Sequence, residues 1–257
     1  MIKIGVAQIK NSIDLKENFE NIKKCLNIFK ETEADLILFP ECSLSGFSAK
    51  IGECTLESIS SYLEELQNWS KINNKMIILP TALKEDKIYN TGFIFHNDET
   101  ERFYKIGLTE SEEKFFSIPE NYKKKVHELK GYKFIPLICL EAQLEYDLYF
   151  KKGDVDFVLW PGYWGWKEKD KWESLKSDGD ENPVYTNVTN WSVPLIQSNF
   201  AYNDLGGGKE NGPHGLSIVV DKNNELVYRS SFDRQECFLV ELDKENSISY
   251  EKLICFD

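Results

Sequence analysis

Three residues of complementary chemistry each close a run of strand-like apolar sequence. Asp35-Leu-Ile-Leu-Phe leads through Pro40 to Glu41, Arg102-Phe-Tyr leads to Lys105, and Phe134-Ile-Pro-Leu-Ile leads to Cys139. In α/β sheets the carboxyl ends of strands are where reactive groups converge, because the strands fix position and the following loops leave access. A carboxylate gathered there takes a thiol proton, the thiolate attacks an electrophilic carbon, and an ammonium stabilises the anion that develops. Each residue alone has a plainer explanation. A Cys after an apolar strand packs as a small hydrophobe, a Glu after Phe-Pro starts a turn, and a Lys beside Tyr104 snorkels to the surface.

The elements that must position these groups are visible along the whole chain. Strand-length apolar runs occur at Ile2 to Ile9, Asp35 to Phe39, Met76 to Leu79, Gly92 to His96 and Phe134 to Ile138. They continue at Phe157 to Trp160, Val193 to Ser198, Leu216 to Val220 and Cys237 to Leu242. Several are apolar at successive positions, as strands covered on both faces require. Leu15, Phe19, Ile22, Leu26 and Phe29 are spaced by three and four, which predicts a helix, and so are Leu56, Ile59, Leu63, Leu66 and Trp69. Thr55 is placed to cap the second helix, with Glu57 and Glu64 on its solvent side. The order strand, helix, strand, helix, strand and then hairpins predicts an α/β layered fold.

Composition closes several doors. The 257 residues carry 31 Lys and Arg against 43 Asp and Glu, a net charge of −12, which argues against a protein built to grip nucleic acid. The longest basic run, Lys123-Lys124-Lys125, lies between Glu120 and Glu128 and reads as a solvated surface turn. Cysteines at 25, 42, 54, 139, 237 and 255 form no Cys-x-x-Cys pair, and His96, His127 and His214 are scattered, so neither a metal nor another cofactor is expected. The amino terminus enters a strand pattern with no cationic leader, and no run reaches the roughly 18 to 20 apolar residues that span a bilayer. The expectation is a cytoplasmic chain without membrane contact, forming one domain over 1–257. Residues 165–183 are charged, and Leu205-Gly-Gly-Gly-Lys-Glu-Asn-Gly-Pro is a long loop without the phosphate-loop pattern, suited to a surface or to covering a substrate.

The sequence around the three reactive residues resembles the nitrilase, or carbon-nitrogen hydrolase, superfamily. Ile4-Gly-Val-Ala-Gln8 resembles its opening strand, and Asp35-Leu-Ile-Leu-Phe-Pro-Glu41 the segment that delivers its catalytic Glu. Tyr104-Lys105-Ile-Gly-Leu108 is similar to the segment supplying its Lys, and Pro136-Leu-Ile-Cys139-Leu-Glu141 to its nucleophile motif, with an acidic residue two after the Cys. Gly153-Asp-Val-Asp-Phe-Val-Leu-Trp-Pro161 and Gly215-Leu-Ser-Ile-Val-Val-Asp221 resemble later family strands. The resemblance implies a four-layer α-β-β-α sandwich, pairing with a second copy as a homodimer or larger homo-oligomer. It also implies a thiol hydrolase acting, with water, on a small amide or N-carbamoyl compound through a thioester at Cys139.

Within that resemblance, Glu41 is the base, Lys105 and the backbone N–H of Leu140 hold the oxyanion, and a second Glu orients the Lys. Glu110, Glu112 and Glu113 compete for the last role; Glu113 is favoured, because Glu113-Lys-Phe-Phe-Ser-Ile-Pro119 keeps the family's aromatic and proline spacing. Trp160-Pro-Gly-Tyr-Trp-Gly-Trp166 follows the next strand, so Tyr163, Trp164 and Trp166 are candidates to wall a substrate pocket or to pack the core. The chain departs from the family at Gly107, where His is common, at Gln143 for an Arg, and at Glu120 for a Gly. The family's helix before the late strand is hard to recognise in Val188-Thr-Asn-Trp-Ser-Val-Pro194. The same residues would also serve a nitrilase or an acyl transferase, and the altered neighbours leave a catalytically silent binding protein of the same fold as the contrasting reading.

Overall fold

In the computed structural model, residues 1–167, 172, 183–206, 212–245 and 247–256 are described. The amino-terminal part carries β1 (Ile2–Ser12), α1 (Leu15–Lys30), β2 (Leu36–Leu38), α2 (Leu56–Asn73), β3 (Met76–Lys84), β4 (Ile88–His96) and β5 (Glu99–Tyr104). The middle carries β6 (His127–Leu129), β7 (Tyr132–Pro136), β8 (Phe157–Pro161), α3 (Pro183–Trp191) and β9 (Leu195–Ser198). Then follow β10 (Phe200–Asp204), β11 (Gly212–Pro213), β12 (Ile218–Val220), β13 (Leu226–Arg229), β14 (Gln235–Leu242) and β15 (Ile248–Phe256).

These strands form two sheets. The first runs β11-β10-β1-β2-β3-β4-β5, with β14 also on β1 and β15 on β14; the second runs β13-β12-β9-β8-β7-β6. The period of two along each strand sorts its apolar residues between two faces. In the first sheet Ile4, Val6, Leu36, Leu38 and Ile78 face the second sheet, meeting Phe134, Phe157, Leu159 and Ile196. Their chain neighbours Ala7, Ile37, Ile77 and Leu79 face the other way, onto Phe19, Ile22, Leu26 and Phe29 of α1 and Ile59 and Leu66 of α2. The outward face of the second sheet, Ile135, Val158, Trp160 and Leu195, packs on Val184, Val188 and Trp191 of α3. The result is the four-layer sandwich, and the successive apolar runs are strands covered on both sides.

Local signals set the helix boundaries. Asp14 caps α1 by accepting from the Glu17 N–H at 2.8 Å. Thr55 and Ser58 form a reciprocal capping box on α2, which ends at Asn74 in a left-handed conformation. Leu56, expected on the buried face, is instead exposed in the first turn. The helix before the late strand starts earlier than Val188, at Pro183. Among the described residues no helix is long and apolar enough to cross a membrane. The 165–183 stretch and the triple-glycine loop are described only in part, since 168–171, 173–182 and 207–211 lie outside the described residues.

Candidate active site

Glu41 and Lys105 descend from the first sheet and meet in its interior. Pro40 follows β2 and cannot extend its hydrogen-bonded ladder, so the chain turns and presents Glu41, fully buried. Lys105 follows β5, and its backbone N–H donates to the Asn90 carbonyl of β4 at 2.9 Å. Its Nζ lies 2.8 Å from Glu41 Oε1 and 2.6 Å from Glu112 Oε1, with all three side chains essentially inaccessible. Asn90 Nδ2 donates to the same Glu41 oxygen at 2.7 Å, so one strand residue fixes both the carboxylate and the lysine backbone. Glu41 Oε2, by contrast, is buried with no hydrogen-bond partner among the described residues.

The second glutamate at Lys105 is therefore Glu112 and not the expected Glu113. The tight 3-10 turn Glu112–Lys114 decides between the neighbours: Glu112 N–H donates to the Thr109 carbonyl at 2.9 Å. Glu112 Oε2 accepts from the Thr109 N–H at 2.9 Å. That tucks residue 112 inside and turns Glu113 to solvent, where Glu110 also lies.

Electrostatics in this cluster run in opposite directions on the two partners. Burial pushes the Glu41 pKa up, with Lys105 pulling it back and Glu112 adding to the rise. Burial works against the Lys105 charge, but Glu41, Cys139 and Glu112 outweigh it, so the ammonium is held above its ordinary pKa. The lysine stays charged, and the glutamate takes up a proton more readily than an exposed one would. An anchored cation beside a carboxylate that can accept a proton is what acyl-transfer chemistry needs.

Cys139 comes from the second sheet, at the start of the 3-10 turn Cys139–Gln143 that follows β7. Its φ of +49° is a left-handed conformation uncommon for a side-chain-bearing residue, and the surroundings hold it there. Trp160 Nε1 donates to the Cys139 carbonyl at 2.9 Å, and Asn187 of α3 donates to the carbonyls of Ala142 and Leu144 at 2.8 and 2.7 Å. The thiol points to the Tyr163 carbonyl at 3.9 Å. Its pKa is pushed up to about 12 by burial and the negative charge of Glu41, against the pull of Lys105, so Cys139 rests as a neutral thiol within the field of the cluster. Cys42, next to Glu41 in the chain, is fully buried against Ile51, Ala82 and Phe116, whereas Cys139 is part-exposed.

Glu141 ties the two loops together. Its Oε2 accepts from the Ile138 N–H at 2.6 Å, just before the thiol, and its Oε1 accepts from the Ile106 and Gly107 N–H groups at 2.7 and 3.4 Å, just after the lysine. Its charge is balanced by Lys124, whose Nζ is 2.6 Å from Oε2, with side chains 1% and 0% exposed. Lys124 also donates to the Pro136 carbonyl at 3.1 Å. The basic run is thus not a uniform solvated turn: Lys123 and Lys125 face water, and Lys124 is drawn inward by the Glu141 carboxylate. Gly107 has its own cause. A Cβ there would lie 2.7 Å from Leu144 Cδ1 and 3.1 Å from Tyr149 Oη, so those side chains fill the space a histidine would take.

Of the residues expected to bind substrate, Tyr163 and Trp164 part company. The Tyr163 ring is stacked between Phe47 at 4.5 Å and His214 at 4.2 Å, and it lines a cavity of about 480 Å³. Trp164 instead packs on Trp160 and Trp166 over the outer core of the second sheet. Leu140 is half-buried beside Cys139 in the 3-10 turn Cys139–Gln143. Among the described residues no group of three or more His, Cys, Asp or Glu side chains could hold a metal ion. Asn90 escaped the sequence reading, although an Asn beside a strand-like run was the one available signal.

The architecture matches known structures over nearly its full length. The NitN amidase from Nesterenkonia sp. AN1 superimposes with a TM-score of 0.78 at 16% identity, covering 96% of this chain and 94% of that one. A mutant of the Nesterenkonia amidase in complex with butyramide gives 0.77 at 16% identity over 94% and 90%. A glutamine-dependent NAD+ synthetase from Acinetobacter baumannii gives 0.73 at 19% identity, covering 98% of this chain and 47% of that one. No curated protein sequence matches the chain. The family model described as carbon-nitrogen hydrolase matches residues 3–198, and the chain belongs to that family.

Proposed function

We propose that the chain is a thiol amidase that hydrolyses a small amide through a thioester at Cys139, with Glu41 as acid and base and Lys105 as the oxyanion's counter-charge. One observation carries this reading: Lys105 is clamped between Glu41 and Glu112 by 2.8 and 2.6 Å contacts, while Glu41 Oε2 stays without a partner among the described residues and the Cys139 thiol lies in the field of all three. Mutants of the amidase from Nesterenkonia sp. AN1, one in complex with butyramide and one carrying acrylamide joined to the active-site cysteine by Michael addition, support the amide class.

The steps follow from the groups' charges. The Cys139 sulfur forms a bond to the amide carbon as its proton passes to Glu41 Oε2. Burial raises the thiol's pKa, so free thiolate is scarce, and Lys105 offsets that cost as negative charge develops. The tetrahedral oxygen anion faces Lys105 and the Leu140 N–H; losing one such donor costs about 100- to 1,000-fold in turnover. Collapse breaks the carbon-nitrogen bond, and Glu41 returns the proton to the leaving nitrogen. A water molecule then gives a proton to Glu41 and attacks the thioester, the sulfur-carbon bond breaks to release the acid, and Glu41 returns that proton to the departing sulfur, restoring the thiol. Glu112 acts through Lys105 by holding it.

The test is ammonia release from a panel of amides, ureido acids and nitriles, followed alongside intact mass. Turnover of an amide with a transient acyl adduct, both lost in Cys139→Ala, is the expected result. Near-normal turnover in Cys139→Ala would overturn the mechanism.

A further inference from the structure

The cavity beside Tyr163 says which amides would fit, an inference that rests on the amidase reading above. Its walls are built by the segments that follow the reactive groups. Phe47 and Ile51 come from the turn after Glu41, Phe115 follows Glu112, and Tyr163, which also lines the cavity, has its backbone carbonyl 3.9 Å from the Cys139 thiol. Ile88, on the strand that carries Asn90, closes another side. Phe47 packs edge-on against both Phe115 and Phe116, so the apolar wall is continuous with the core that includes Cys42, next to Glu41.

Two properties of this cavity constrain the substrate. Its volume of about 480 Å³ falls in the ~300–1,000 Å³ range of pockets that hold ligands much larger than a four-carbon amide. Among the described residues that line it none is charged, and only Ser48 and Tyr163 bring side-chain hydroxyls. Lys105, the buried cation nearest the chemistry, is already engaged by two carboxylates. A carboxylate entering this space would lose its hydration with no counter-charge in return.

We propose that this cavity receives the acyl side of the substrate, and that the preferred amides carry an uncharged apolar acyl group, a medium-length alkyl chain or an aryl ring, rather than a carboxylate. Burying each added methylene should improve kcat/KM about fourfold. Gly52 and Ile88 both line the cavity. A Cβ at Gly52 would touch only Ile88 Cδ1, at 3.4 Å, so the backbone there has room for a side chain that would narrow the cavity.

The test measures kcat/KM by ammonia release for acetamide, butyramide, hexanamide, phenylacetamide and the carboxylate-bearing glutaramate. The expected result is about 15-fold higher kcat/KM for hexanamide than for butyramide, with glutaramate far below both. Gly52→Phe should collapse the hexanamide-to-acetamide ratio, and Ile88→Ala should shift preference toward phenylacetamide. A flat or falling chain-length series, or a preference for glutaramate, in a protein that still turns over acetamide through Cys139 would overturn the proposal and leave the amidase reading standing. Absence of ammonia and of any Cys139 adduct with every amide would overturn the amidase reading and this proposal with it.

Discussion

Replacing Lys124 with Met should destabilise the protein far more than the same change one residue on. Lys124 Nζ sits 2.6 Å from Glu141 Oε2, with the pair 1% and 0% exposed, and donates to the Pro136 carbonyl at 3.1 Å. Met preserves most of the side-chain volume, so packing against Phe103, whose ring lies 5.5 Å from the ammonium, is largely kept. What is lost is the counter-charge of a carboxylate that has no access to water. Breaking a buried pair from one side costs about 3–5 kcal/mol. Glu141 keeps its backbone N–H donors from Ile106, Gly107 and Ile138, which places the cost near the lower end, about 3 kcal/mol. At ~2–4 °C per kcal/mol for a chain of this size, Tm should fall by about 6–12 °C. Lys125, paired with Glu101 and 65% exposed, is the control, and Lys125→Met should change stability by under about 0.5 kcal/mol. Urea titration and thermal melting of both variants read the difference. If the two melt together, the buried pair does not carry the weight assigned to it.

Two further outcomes concern the site directly. Glu112→Gln should lower kcat about a hundredfold by loosening Lys105, while Glu113→Gln, on a solvent-facing side chain, should stay within about twofold of the parent; equal effects would remove Glu112 from the machinery. Burial raises the Glu41 pKa, and the proposed base would work only when deprotonated, so kcat/KM should fall with acid at a pH above the ordinary Glu value of about 4.3. The Asn90 hydrogen bond favours the charged form, so Asn90→Ala should move that acid limb to still higher pH; an unmoved limb, or one shifted to lower pH, would contradict the assignment of Glu41 as base.

The strands whose two faces are both apolar, such as Leu36–Leu38 and Phe157–Pro161, were legible because burial on both sides leaves an unbroken apolar run. β15 was not: it lies at a sheet edge with all of its residues exposed or half-exposed, so neither period nor composition marks it. Glu41, Lys105 and Cys139 stood out because each closes a strand, and the structure brings the first two into direct contact with the third in their field. The phase of a tight turn is a different kind of information. Glu112 and Glu113 are identical in type and adjacent in sequence, and only the hydrogen bonds to Thr109 determine which turns inward. Lys124 was hidden for a related reason: within a run of three lysines, burial depends on a carboxylate 17 residues away at Glu141.

The division of the site between two sheets has a kinetic meaning. Glu41, Lys105 and Asn90 hang from one sheet and Cys139 from the other, so the alignment of the reacting groups is fixed by the seam of Val6, Leu38, Phe134 and Phe157 between them. Neither sheet alone contains a working set. If the chain is the proposed amidase, turnover during refolding should therefore appear only when the sheets have docked, later than the backbone hydrogen bonding of either one, and the onset of ammonia release would mark the closing of that seam. A slip of about 1 Å between the sheets, leaving every side chain near the thiol unchanged, would be enough to cost about a hundredfold in rate.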